Sequence, residues 1–236
     1  MNIQDELAKL HEFYGTEELH PDLLPYLEKV DDMPMLRHPL VYFVPFSDMQ
    51  SKHANRLYEH RKADVAAALR NGEPHRFVFA HERPYRLAAF QEYLETSVED
   101  VTDSEYWRVL SSIWIDTENY WQNKKDWIDM FQAHRHDRLH FMDMEERMHL
   151  AMMDSEFTVY RGATYLDAQR GLSWSLSEER AKWFAKRLHQ PGGPPPVVVE
   201  GAVRRGDVIG LLESRGEEEI VALPWNVVIN KIGELE

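Results

Sequence analysis

The sequence predicts an α+β protein, with a helical N-terminal part followed by a β-rich C-terminal part. Two observations carry this prediction. Up to Asp154 the apolar residues recur mostly at helical spacing, as in Ile3, Leu7, Leu10 and Phe13. After Asp154 the texture changes to short runs rich in β-branched residues, separated by turn-forming residues. A chain of 236 residues fits one large domain or two small ones. The change of texture suggests a mainly helical region over 1–100 and a second region over 101–236, which are also able to form one compact unit.

The elements follow in order. Residues 3–13 form an amphipathic helix that Gly15 stops. Residues 18–30 are expected to form a second helix whose start is restricted by Pro21 and Pro25. Asp31 to Met35 reads as a loop. The run from His38 to Pro45 is a short strand or extended piece, confined by its prolines to an edge. Residues 48–71 form a long helix ended by Asn71-Gly72. Arg76 to Ala80 reads as another short strand or extended piece, and 84–96 as a helix opened by Pro84.

Asp103 or Ser104 caps the next helical stretch, which runs to about Ala133. Its aromatic stripe of Tyr106, Trp107, Trp114, Tyr120, Trp121, Trp127 and Phe131 reads as core, with lining of a nucleotide cleft as the alternative. Residues 142–152 make one more helix. Strands are expected at 157–161, 171–175, 196–203, 207–212, 218–223 and 226–232. One helix interrupts them at 177–189, capped by Ser177 and presenting Ala181, Phe184, Ala185 and Leu188. Residues 190–196 are a proline- and glycine-rich break.

Composition narrows the function. The net charge of −14 repels phosphate backbones and anionic bilayers, so it disfavours nucleic-acid and membrane partners. The absence of cysteine removes disulfides, thiolate metal sites and cysteine nucleophiles, and fits a reducing compartment. The N-terminus lacks the basic and apolar regions of a signal peptide, and no run approaches the ~18 apolar residues of a membrane span. The expected location is cytoplasmic. His134, His136 and His140 are spaced unlike any zinc ligand set, and basic residues after a helix end are explained by its dipole. No phosphate-binding glycine loop, zincin motif or nucleophile elbow occurs.

Three short pieces remain. They are Tyr160-Arg161-Gly162, then Gly171-Leu-Ser173-Trp174-Ser175-Leu-Ser177 leading into Ala181, Phe184 and Ala185, and then Glu217-Glu218-Glu219-Ile-Val. An arginine, a serine pair and a glutamate pair, each on its own strand in that order, resemble the mono-ADP-ribosyltransferase family of the arginine–serine–glutamate class. The detailed resemblance covers about a third of the chain, and the helices from about 103 to 152 stand where that family places its preceding helices.

The resemblance implies a core of two packed, mainly antiparallel sheets around a cleft for NAD+, used as co-substrate without a metal. It implies cleavage of the nicotinamide–ribose bond and transfer of ADP-ribose to an acceptor. Nicotinamide already carries positive charge and leaves without acid catalysis, while a fixed carboxylate stabilises the cation-like ribose. Glu219 takes that role and Glu217 activates the acceptor as a general base. Arg161 offers a planar fork to the pyrophosphate or the adjacent ribose. Gly162, Ser173, Ser175 and Phe184 complete the expected cofactor site, with Ser173 orienting Glu219. Trp174, where the family often has threonine, faces a core on the other side.

Strand alternation, carried through Glu218, places Glu217 and Glu219 on one face, able to converge with Arg161 and Ser173. Ser214, Arg215 and Gly216 occupy the place of the acceptor-recognition loop. The Glu-x-Glu pair favours a protein acceptor, arginine first, as for an intracellular toxin, effector or host regulator. The alternatives are a nucleic-acid base as acceptor, water as acceptor, and an inactive binding or regulatory module on the same fold.

Overall fold

A computed structural model describes residues 15–98, 100–164, 170–189, 192–213, 216 and 218–235. The helix expected at 3–13 lies outside them. The chain divides into two compact units, Met1–Val101 with Ser112–Asn119, and Thr102–Ser111 with Tyr120–Glu236. No helix among the described residues is long and apolar enough to cross a membrane.

The first unit opens with an antiparallel sheet in the order β1 (Leu27–Val30), β2 (Met33–His38), β3 (Val41–Phe43). The helix expected over 18–30 is therefore replaced by a single 3-10 turn, Leu24–Tyr26, and a strand. The cause lies in the next two residues. Asp31 and Asp32 both adopt positive φ, 50° and 61°, the two-residue turn that folds one strand back on its neighbour. Pro34 stands opposite Lys29, and its carbonyl accepts the Phe46 N–H.

Helix α1 (Ser51–Arg70) follows and ends at Gly72, with φ 67°. The piece expected to be extended at 76–80 is instead a short helix, α2 (Pro74–Phe79). Pro74 sets its first turn, and Pro74, Phe77 and Val78 are buried at positions i, i+3 and i+4. Helix α3 (Arg86–Thr96) completes this part. Leu23, Leu36, Val41, Ala54 and Tyr58 lie at the centre of the apolar cluster between sheet and helices.

The second unit includes most of α4 (Asp103–Asp116), with α5 (Lys124–Phe131) and α6 (Met144–Met152). The Thr102 hydroxyl, not Asp103 or Ser104, accepts the Glu105 N–H at the start of α4. The Asp103 carboxylate instead accepts the His136 N–H and pairs with Arg135. Most of the aromatic stripe is core: Tyr106, Trp107, Trp127 and Phe131 are buried, and Trp107 Nε1 donates to the His136 carbonyl.

The strands of this unit are β4 (Glu156–Ala163), β5 (Ser173–Ser175), β6 (Val197–Arg204), β7 (Val208–Leu212), β8 (Glu219–Ala222) and β9 (Val227–Glu234). All six expected strands form, and they make one antiparallel sheet in the order β7-β8-β5-β4-β6-β9. Among the described residues the C-terminal strands lie in one sheet and residues 27–43 form the other, so the protein is mixed helix and sheet with two antiparallel sheets. One face packs Val159, Trp174, Val199 and Ile220 with Met142 and Leu150. Against the other lies α7 (Glu178–Leu188), capped as expected by Ser177, whose hydroxyl accepts the Arg180 N–H. Gly162 makes that packing close. A Cβ there would fall on the Ala181 carbonyl and 2.5 Å from the Ala185 nitrogen.

Candidate functional site

Strands β4, β5 and β8, which carry the three polar motifs, are direct neighbours in the sheet. Glu219 stands opposite Ser175, and Ser175 opposite Tyr160. Residues directly opposite one another in paired strands share a face. Continued outward, the same row passes through Glu200 on β6 and Lys231 on β9. A polar line thus crosses five strands on the face that α7 packs against.

This register revises two expectations. Ser173 pairs with Val221, so the serine beside Glu219 is Ser175. Ser175 is buried, and its hydroxyl accepts the Ser177 N–H at 3.0 Å, tying the strand to the α7 cap. Arg161 shares a face with Val159, Trp174 and Ile220, opposite to that of Ser175 and Glu219. Strand alternation by itself therefore does not bring Arg161 and the glutamate together, although both side chains act on the Tyr120 hydroxyl.

Arg161 is held by an unanticipated set of groups. Its Nη1 donates to the Ser173 carbonyl at 2.5 Å, and its guanidinium lies 5.3 Å from the Trp121 ring centre and 5.9 Å from that of Tyr120. Such cation–ring contacts contribute ~0.5–2 kcal/mol. The two rings stack at 5.2 Å, and Lys124 lies over Trp121 while its Nζ donates to the Arg170 carbonyl. Gly171 leaves room for this arrangement: a Cβ there would overlap Arg161 Cζ and come 2.5 Å from the Tyr120 hydroxyl, so the arginine would have to shift.

The Tyr120 hydroxyl links the parts. It accepts the Leu172 N–H at 3.2 Å. Its ring keeps some exposure, but its hydroxyl is enclosed, and that burial pushes the phenol's pKa up. Arg161 and the Leu172 and Ser173 amides oppose the shift, whereas the Glu219 carboxylate adds to it. The phenol therefore stays protonated, and Arg161 and Glu219 both act on it electrostatically. The sequence placed Tyr120 in a stripe read as core; the glycine beside the serine motif was the one local signal of close approach.

The segment before Glu219 is shaped by backbone conformation. Glu218 has φ 46° and Gly216 φ 63°. Strand β8 begins only at Glu219, so the alternation expected to align Glu217 with Glu219 does not run through Glu218. Glu217, Ser214 and Arg215 lie outside the described residues. The Gly216 carbonyl accepts from Arg180 Nη2 at 2.8 Å, and the Glu218 carbonyl from the Leu176 N–H at 3.2 Å. Upstream, the buried Glu146 carboxylate accepts the Glu213 N–H and the Asp143 N–H, fixing the end of β7 to the cap of α6.

The remaining expected residues are less central. Gly162 meets α7 by packing, and Phe184 is half-buried, edge-on to the exposed Trp183 at 4.9 Å. His140 Nδ1 lies against the Arg108 and Arg147 guanidinium groups, and among the described residues no group of three or more histidines and carboxylates is placed to hold a metal. No protein-family model, curated protein or solved structure matches the chain.

Proposed function

We propose that the protein cleaves NAD+ and transfers ADP-ribose to an intracellular acceptor, with a protein side chain as the favoured class. The observation that carries this reading is the adjacency of β8, β5 and β4. Their motifs are up to 58 residues apart in the chain, from Arg161 to Glu219, yet Glu219 and Ser175 stand side by side and the Arg161 strand is next. The family resemblance supplies the chemistry, and the strand order supports it.

In this reading Glu219 stabilises the cation-like ribose as nicotinamide departs. A preorganised charge of this kind supplies several kcal/mol in a site sheltered from water. Ser175 takes the orienting role first given to Ser173. Arg161 braces the opposite side by fixing Ser173 and Gly171, and its charge reaches Glu219's surroundings through Tyr120. Glu217 remains the proposed general base for the acceptor. Glu219 is the residue on which NAD+ cleavage depends most, and Arg161 acts on it only by positioning.

The test is incubation of the full chain with NAD+ labelled in the adenylate half, following nicotinamide release and label retained on protein. Release with retention on protein supports transfer; release alone makes water the acceptor. No release by the wild-type chain, or equal release by Glu219→Gln, overturns the reading.

A further inference from the structure

A second cluster of titratable groups lies wholly in the first unit, around the β2–β3 turn. Its centre is His38, the last residue of β2. His38 Nδ1 accepts the Leu40 N–H at 3.0 Å, closing the Pro39-Leu40 turn. A ring nitrogen that accepts a hydrogen bond carries no proton, so the neutral ring must hold its proton on Nε2. The ring stands edge-on to Tyr26 at 4.5 Å and to Tyr58 of α1 at 5.1 Å.

The same turn is fixed from two other sides. The Leu40 carbonyl accepts from Arg61 Nη1 at 2.8 Å, and the Pro39 carbonyl accepts the Glu82 N–H at 2.8 Å. Arg61 and Glu82 also pair with each other. Next to Glu82 stands His81, which is buried and lies 5.2 Å from the Phe77 ring. Its Nδ1 donates to the Phe77 carbonyl at 2.8 Å, so its neutral ring has the opposite tautomer.

We propose that His38 and His81 form an acid-sensitive latch on the β2–β3 turn, closed near pH 7.5 and released in mildly acidic medium. Protonating His38 puts a proton where the Leu40 N–H must donate. Protonating His81 places a charge in an enclosed setting beside the Phe77 ring and two arginines. The charges facing His38 are Asp22, which favours the proton, and Lys62 and His81, which oppose it. Those facing His81 are Glu92, which favours it, and Arg61 and Arg86, which oppose it. For both rings burial is the largest effect and lowers the pKa.

The sign follows. Each group's folded value lies below its unfolded value of about 6.5. The neutral rings therefore contribute stability that is full above that value and is lost as pH falls toward the folded value. Asp22, held low first by its Tyr58 hydrogen bond and then by that of Lys62, takes up its proton only below the usual carboxylate range, outside this window.

The test uses the full chain. Long-range proton–nitrogen spectra at pH 7.5 are expected to show the Nε2–H tautomer for His38 and the Nδ1–H tautomer for His81. Hydrogen exchange is then followed from pH 7.5 to 5. Protection of the Leu40 and Glu82 amides is expected to fall about tenfold or more as the rings charge. In the doubly substituted chain His38→Asn, His81→Asn, the amide can accept at one site and donate at the other without titrating. Protection there is expected to stay level. Should that variant fail to fold, the wild-type measurement decides alone. The wrong tautomer at His38, unchanged protection down to pH 5, or an equal fall in the variant overturns the proposal.

Discussion

Two tyrosines, one in each unit, show how differently the units use an enclosed phenol. Tyr58 is buried, donates to the Asp22 carboxylate at 2.5 Å and has Lys62 over its ring at 5.0 Å. Lys62 in turn bonds Asp22 at 3.0 Å. Donor, acceptor and countercharge close into one local set that fixes the segment around Asp22 to α1. Tyr120 accepts a backbone N–H and lies in the fields of both Arg161 and Glu219. The first tyrosine serves architecture. The second stands among strands whose side chains carry the chemistry we propose. Burial raises the phenol's pKa in both, so neither ionises near neutral pH, and the difference between them lies in their surroundings.

The sharpest way to break this contrast is at Glu219. Glu219→Gln is expected to reduce nicotinamide release by about 100-fold or more, the range seen when one preorganised charge-stabilising group is removed. Thermal unfolding is expected to change little, since the residue is only half-buried at a strand start. A large loss of stability with retained turnover would make Glu219 structural and remove the contrast. Next in size is Gly162→Ala. The new methyl meets backbone of α7, which cannot step aside, so chemical denaturation should show a loss of about 1–3 kcal/mol, or more. The serines then refine the site. Ser175→Ala is expected to lower turnover by about tenfold, roughly one hydrogen bond's contribution, and Ser173→Ala by less, because Ser175 stands opposite Glu219. The reverse order would restore the first assignment.

Much of the second unit was legible in the sequence because its signals are local. Alternating runs gave all six strands, Ser177 gave the α7 cap, and the placement of Trp174 in the core followed from strand parity. What failed was long-range. Register decided that Ser175 rather than Ser173 neighbours Glu219, and no local feature reveals which residue of a distant strand stands opposite. The alternation read through Glu218 does not hold there, because Glu218 adopts a left-handed backbone, a conformation that glutamate does not advertise. In the first unit, residues 18–30 read as a helix because five apolar residues there allow a helical face. Pairing with β2 overrode that pattern. Tyr120 was hidden for another reason: aromatics in a helical stripe are usually core, and only its contacts distinguish it from Tyr106 or Trp127.

The smallest effects test the two tyrosines directly. Phenylalanine at either position keeps the ring and removes one hydroxyl. Tyr58→Phe leaves Asp22 and Lys62 paired at the surface, so the expected loss is about 1–2 kcal/mol of unfolding free energy, with turnover per folded molecule unchanged. Tyr120→Phe leaves Arg161 its aromatic contacts but takes the acceptor from the Leu172 N–H. Its stability loss should be no greater, about 1 kcal/mol, because the segment is also held by the Ala222 N–H to Leu172 carbonyl bond. Its kcat is expected to fall several-fold with little change in KM, because the hydroxyl positions the strand beside Glu219 without being needed for NAD+ to dwell in the site. Equal kinetic behaviour of the two variants would show that Tyr120 is one more core aromatic and that the polar groups around it do not act together.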